Sequence, residues 1–243
     1  MNLTYLRMEI VRVARNRRVL IFSVLLPSIL LLVIGSQNKG QSINGAAVTA
    51  YIMVSMGIFG AMSSATGTAG SIAVERSVGW NRQLRLTPLR PVQYLISKIV
   101  LALLLVLPSL AVVYLIGALG LGVHLSASVW AQVAVGSWLS ALPFAALGLV
   151  IGYLAKPDSI QQISGLIFFL LSLFGGLWLP VEAMPHVMRV IATYTPAYWA
   201  GQVARAPLFH GHLDSKAILV LLAWAVGLGI IGIQRFRVDT ARA

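Results

Sequence analysis

The stretch Glu75–Pro88, ERSVGWNRQLRLTP, carries three arginines and a glutamate in fourteen residues. It stands between two long apolar runs, in a chain of 243 residues that is 58% hydrophobic and only 10% charged. A soluble domain needs a surface of roughly 25–35% charged residues. Charge this scarce, gathered at one place, marks a boundary between two environments.

Outward from that boundary the chain holds six apolar runs, at Val19–Gly35, Val48–Val74, Ile99–Leu119, Val129–Tyr153, Ile160–Leu179 and Ala217–Ile233. None contains Asp, Glu, Lys or Arg. Crossing a bilayer takes about 20 residues of helix at 1.5 Å each, and each run approaches or exceeds that length. Spanning strands would instead alternate apolar and polar residues over about 10 positions, and these runs do not. The expected fold is an all-α membrane protein with six transmembrane helices.

The net charge of +12 raises nucleic acid as a partner, but the distribution of the charge points elsewhere. With the N-terminus taken as cytoplasmic, fourteen basic residues fall in the inner segments (Arg7, Arg12, Arg15, Arg17, Arg18, Arg76, Arg82, Arg85, Arg90, Lys98, Lys156, Arg235, Arg237, Arg242). Four fall outside, at Lys39, Arg189, Arg205 and Lys216. This is the positive-inside bias. It puts both termini in the cytoplasm of a multi-pass plasma-membrane protein and assigns the basic residues to anionic lipid or an acidic partner, with no nucleic acid.

The chain has no cysteine, which excludes disulfides and zinc thiolate sites. Its start is basic and then apolar like a signal peptide, but no A-x-A-like cleavage site follows, so the first helix is read as retained. Before it, Leu3, Leu6, Ile10 and Val13 recur at helical spacing with Arg12 and Arg15 opposite. Residues 1–18 are therefore expected as an interfacial amphipathic helix.

The second run, YIMVSMGIFGAMSSATGTAGSIAV (Tyr51–Val74), is crowded with Gly, Ala, Ser and Thr. Small residues let helices approach closely or line a polar path, so Ser63, Ser64, Thr66 and Thr68 are candidates for the substrate route. Gly148 and Gly152 form a second small-residue face, read as packing within one bundle. Pro108 and Pro143 are expected to kink their spans. No ionisable residue is expected at depth, which weighs against a proton- or ion-coupled carrier and against an intramembrane hydrolase. His210, His212 and Asp214 are residue types that bind metals, but without a second cluster a polar loop is the plainer reading. No catalytic, cofactor or metal residue is assigned.

Taken as a helix, Glu75–Pro88 puts Trp80 and Leu84 on one face and Arg82 and Arg85 on the other. Thr87-Pro88 ends it, because the residue before proline is pushed out of the helical region. From the residues alone, docking to a soluble partner and anchoring on the membrane surface serve equally well.

The pattern E-R-x-x-G-x-x-x-x-L-R-x-T-P, with Lys98 opening the next span, resembles the cytoplasmic loop of ABC-2 type ABC transporter permeases. A second segment, GGLWLPVEAMPHVMRVIATYTPAYW (Gly175–Trp199), is similar to that family's G-x-x-x-P-x-x-x-M-P…P motif, with Gly176, Pro180, Met184, Pro185 and Pro196 in the motif region. The resemblance covers essentially the whole chain. It implies a coupling helix at 75–88 held in a groove of an ABC ATPase subunit, with Glu75, Arg76, Gly79, Trp80, Arg82, Leu84, Arg85, Thr87 and Pro88 as coupling residues. It also implies short outer re-entrant helices at 181–199. Where the family often has Gly-Thr-x-Glu, this chain has Gly79-Trp80-Asn81-Arg82, so the loop's second acid is missing.

The chain has no G-x-x-x-x-G-K-[ST] phosphate loop. ATP and Mg are thus expected on a separate subunit, and this chain is not by itself an enzyme. The reading implied is a permease subunit, acting as a homodimer or heterodimer, that exports a lipophilic drug, antibiotic or amphipathic peptide. The alternatives are a permease for lipid-linked polysaccharide and a membrane anchor or immunity subunit that transports nothing.

Overall fold

The computed structural model describes residues 8, 17–43, 45–79, 91–178, 180–181, 184–209 and 214–241. The amphipathic segment 1–18 therefore lies outside the described residues, apart from the exposed Met8 and the two arginines that begin the first helix.

The elements are α1 (Arg17–Gln37), a hairpin of β1 (Ser42–Ile43) and β2 (Ala46–Ala47), α2 (Val48–Thr66), α3 (Thr68–Ser77) and α4 (Pro91–Leu115). A single π-helical turn, Ile116–Gly120, closes α4. Then follow α5 (Ala127–Leu139), α6 (Leu142–Leu154), α7 (Ile160–Phe174), α8 (His186–Thr193), α9 (Pro196–Arg205), a 3-10 turn Ala206–Phe209, and α10 (Ser215–Ala241). The hairpin pairs Ser42 with Ala47 and Ile43 with Ala46 in antiparallel register, and Gly45 takes a φ of 83° in its turn.

Among the described residues, four helical stretches are long and apolar enough to cross a membrane: Val48–Ser77, Gln93–Gly120, Ala127–Leu154 and Ser215–Val238. Two apolar helices, Ser23–Gln37 and Ile160–Phe174, are shorter. The fifth expected span was to reach Leu179. It stops at Phe174 because Gly175 and Gly176 turn the chain, the latter with a φ of 68° that favours glycine. The other bounds move outward: α10 runs well past Ile233, and α4 begins before Lys98 rather than after it.

The second stretch is continuous in direction, since Gly67 keeps helical angles (φ −58°, ψ −21°) between α2 and α3. Its 30 residues would reach about 45 Å at helical rise, more than the ~30 Å hydrocarbon thickness. The helix is thus longer than a single crossing requires. Glu75 and Arg76 belong to its last turn, so the coupling helix expected over 75–88 does not begin at Glu75.

The helix α2 is the axis of the bundle. Val54, Ile58, Phe59 and Met62 meet Val106, Leu110 and Val113 of α4 and Phe144 of α6 in one apolar core. Close approach is possible because α2 presents glycines: a Cβ on Gly57 would meet the Tyr114 ring, and one on Gly60 would collide with the Ser109 hydroxyl. The second site has a reason. Pro27 lies inside α1 and has no N–H to give the Ser23 carbonyl four residues earlier. Ser109 of α4 donates to that carbonyl at 2.8 Å instead. Three helices thus meet at Gly60.

Near the expected kink at Pro143 the helix is interrupted only over Ser140 and Ala141, which keep helical angles: α5 ends at Leu139 and α6 restarts at Leu142 with Pro143 in its first turn. At Pro108, α4 continues unbroken. The Gly148/Gly152 face packs inside the chain, with Gly152 against Ile72 and the Ala69 carbonyl of α3.

Candidate functional site

The roots of the charged loop are the final turn of α3 and the first turns of α4. Of the nine residues that the family resemblance implicates, the structure describes Glu75, Arg76 and Gly79. Trp80, Arg82, Leu84, Arg85, Thr87 and Pro88 lie outside the described residues. Gly79 turns the chain away from α3 with a φ of 70°, which an L side chain resists.

Glu75 is not on the surface. Only 2% of it is exposed, and it faces α4, where Lys98 (1% exposed) donates to Oε1 at 2.6 Å. The Tyr94 hydroxyl donates to Oε2 at 2.7 Å. Tyr94 and Lys98 stand one helical turn apart, so both reach the same carboxylate, and the Lys98 ammonium also lies 5.4 Å from the centre of the Tyr94 ring. Arg76, the next residue, turns to α6. Its Nη1 donates to the Gly152 carbonyl at 3.1 Å and its guanidinium lies 5.5 Å from the Tyr153 ring centre. Both tyrosine rings pack on Phe236 of α10, at 5.7 and 5.8 Å.

The Gly175–Trp199 segment forms two short helices rather than a crossing. Pro185 precedes α8 and Pro196 opens α9, which runs on to Arg205 and so beyond the expected limit at 199. Thr195 caps α9 by accepting from the Tyr198 N–H at 3.3 Å. The Arg189 Nε donates to the Met184 carbonyl at 3.0 Å, and the Trp199 Nε1 donates to the Thr193 carbonyl at 2.7 Å. Pro180 is half-buried and Met184 is buried with Val181 and Ala192. Val187, Val190, Ile191 and Tyr194 are exposed along one side.

Arg205 departs from its expected place in an outer loop. It is buried, and Nη1 donates both to the Ser55 Oγ of α2 at 3.0 Å and to the Gly176 carbonyl at 3.1 Å. The guanidinium also lies 4.6 Å from the Tyr51 ring centre. One side chain thereby ties α9 and the Gly176 turn to the first turns of the axial helix. Glu75, Lys98 and Arg205 are all buried, which corrects the expectation that no ionisable group lies inside the bundle. Each is held by polar partners, as buried charge requires.

The small-residue candidates are mostly packed. Ser64 and Thr66 are buried, Ser63 is half-buried, and Thr66 returns its hydroxyl to the Met62 carbonyl at 2.8 Å. Thr68 begins α3, and its side chain is not described. A cavity of about 490 Å³ lies elsewhere, at the α5–α6 break, between those helices, α9 and α10. Its walls include Val135, Leu139, Pro143, Val203, Leu221 and Leu222, and none of the four candidates. Among the described residues no group of His, Asp and Glu could hold a metal ion, and His210 and His212 fall outside them.

The sequence contained partial signals for what was missed. Tyr94 and Lys98 share a helix face across the loop from Glu75, and Arg205 sits in an apolar run, VARAPLF. No signal linked Ser109 to Ser23, because 86 residues separate them.

Comparison with known proteins agrees with this geometry. The chain is 33% identical over 217 residues to the "Putative transport permease YvfS" of Bacillus subtilis (strain 168), with 89% of each chain covered. The family described as "ABC-2 type transporter" matches residues 2–209, which contain both the charged loop and the short helices α8 and α9. With a relative of that identity and a match of that extent, the chain belongs to the ABC-2 type transporter family.

Proposed function

We propose that this chain is the permease subunit of an exporter driven by ATP, with ATP and Mg bound by a separate ABC ATPase subunit that docks on the 75–88 loop. Family membership makes the chain a multi-pass membrane subunit of a transporter and implies an ABC ATPase partner. The finer reading has six spans with both termini cytoplasmic, a dimer of permeases, and two ATPases whose closure moves the loops. It is supported above all by one observation: the family match includes the whole loop. The long helix Val48–Ser77 adds a stiff connection from that loop to the outer end of the bundle.

The substrate is a lipophilic drug, antibiotic or amphipathic peptide. The support is the cavity at the α5–α6 break, whose volume is that of a site for a drug-sized molecule. Its walls, apart from Gln132 and Ser140, are apolar or glycine, which suits hydrocarbon better than sugar.

Leu84→Asp tests the docking. It places a charge on the face that Leu84 and Trp80 would share in a helix, at a cost to association of about 2–5 kcal/mol, or roughly 30- to 4,000-fold weaker ATPase binding. The co-expressed ATPase is recovered on each tagged permease, and size exclusion checks that the permease is folded. Equal recovery on wild type and variant would remove the docking role.

A further inference from the structure

The Glu-Arg pair at the head of the loop uses its charges inside the bundle. Successive helical residues point about 100° apart, and here they grip different neighbours: Glu75 holds α4 through Lys98 and Tyr94, and Arg76 holds α6 at Gly152. Both carboxylate oxygens are engaged by donors one turn apart on α4, so a slide or a roll of α4 against α3 breaks at least one bond. A buried ion pair is a poor device for stability alone, because apolar residues of similar volume commonly serve as well. What it adds is direction and register. Glu75 and Lys98 are too buried to meet a soluble partner.

We propose that Glu75, Lys98 and Tyr94, with Arg76 beside them, form a positioning clasp that fixes the two roots of the 78–90 loop to each other, so that force on the loop moves α3 and α4 as one body. The clasp rests on the reading of this loop as the ATPase docking element. It makes Glu75 a positioning residue for coupling and not a contact of the ATPase.

The test uses the full permease with its co-expressed ATPase in nanodiscs. Tyr194→Cys, at an exposed position in a chain without cysteine, reports the outer helices by its labelling rate with an impermeant maleimide, with and without ATP and vanadate. Two clasp variants are compared: Glu75→Gln, which strands the Lys98 charge, and the doubly apolar Glu75→Met/Lys98→Met. Both are expected to keep ATPase recovery within about twofold of wild type while the nucleotide-dependent change in labelling falls about tenfold, within the usual range of coupling between sites.

A full labelling response in the double variant would overturn the proposal, since the pair would then be packing only. Loss of ATPase recovery in Glu75→Gln, with a folded permease, would also overturn it by making Glu75 a docking contact. If wild type recovers no ATPase or shows no nucleotide response, hydrogen exchange of the permease alone decides. Exchange in 68–77 and 91–98 rising together by about tenfold or more in Glu75→Gln upholds the clasp, and unchanged exchange in both overturns it.

Discussion

Adding one methyl at Gly60 tests the three-helix junction. The new Cβ of Gly60→Ala would collide with the Ser109 hydroxyl and lie 3.2 Å from Pro27 Cγ and 3.3 Å from the Ser23 carbonyl. Ser109 must then leave the carbonyl that Pro27 cannot serve. Two costs follow. Overpacking a close contact costs about 1–3 kcal/mol. The lost interhelical hydrogen bond costs less, because such bonds between membrane helices average about 0.6 kcal/mol and reach about 1.7. Sterics therefore dominate, and Gly60→Ala should destabilise by about 2–4 kcal/mol while Ser109→Ala alone costs about 1.

The double variant is the informative one. Without the hydroxyl, the methyl loses its worst clash but keeps the two tight contacts to α1, so the rescue is partial. The double variant should be more stable than the sum of the singles by about 1–2 kcal/mol, within the usual range for touching residues. Unfolding of the detergent-solubilised permease in SDS, followed by tryptophan fluorescence, measures all four corners of the cycle. Additive losses, or a Ser109→Ala cost equal to that of Gly60→Ala, would refute the junction.

Two further predictions concern Arg205 and the topology. Arg205→Lys should destabilise by about 2–4 kcal/mol, because the shorter lysine has no planar guanidinium to lie on the Tyr51 face while its terminal nitrogen reaches Ser55 and the Gly176 carbonyl; thermal unfolding near wild type would show that these contacts contribute little. Reporter fusions after Gly40 and after Pro88 should report opposite sides, outside and inside, as the charge bias requires, and the same side for both would contradict the topology.

The amino-acid sequence by itself determined the class of the protein. Apolar runs without charge, basic segments biased to one side and two motifs in order are local properties, readable without knowing what touches what. They marked a helical, multi-pass membrane protein, raised Pro143 as a site of irregularity, and led to the family. Lengths were less legible, since a helix ends where its capping and packing end: α7 stops at Phe174, before the Gly175-Gly176 turn in which Gly176 takes a positive φ, and the helix through Val74 runs on to Ser77. The tertiary structure alone decided the roles of the charges. Glu75 read as part of a charged surface helix, yet its carboxylate is buried against Lys98 and Tyr94, and Arg205 read as an outer loop residue, yet it reaches Ser55 across 150 positions of chain. Whether a charge faces water or a partner inside the bundle depends on which helices pack beside it. That is a non-local outcome of burying several apolar faces at once, and no window of sequence contains it.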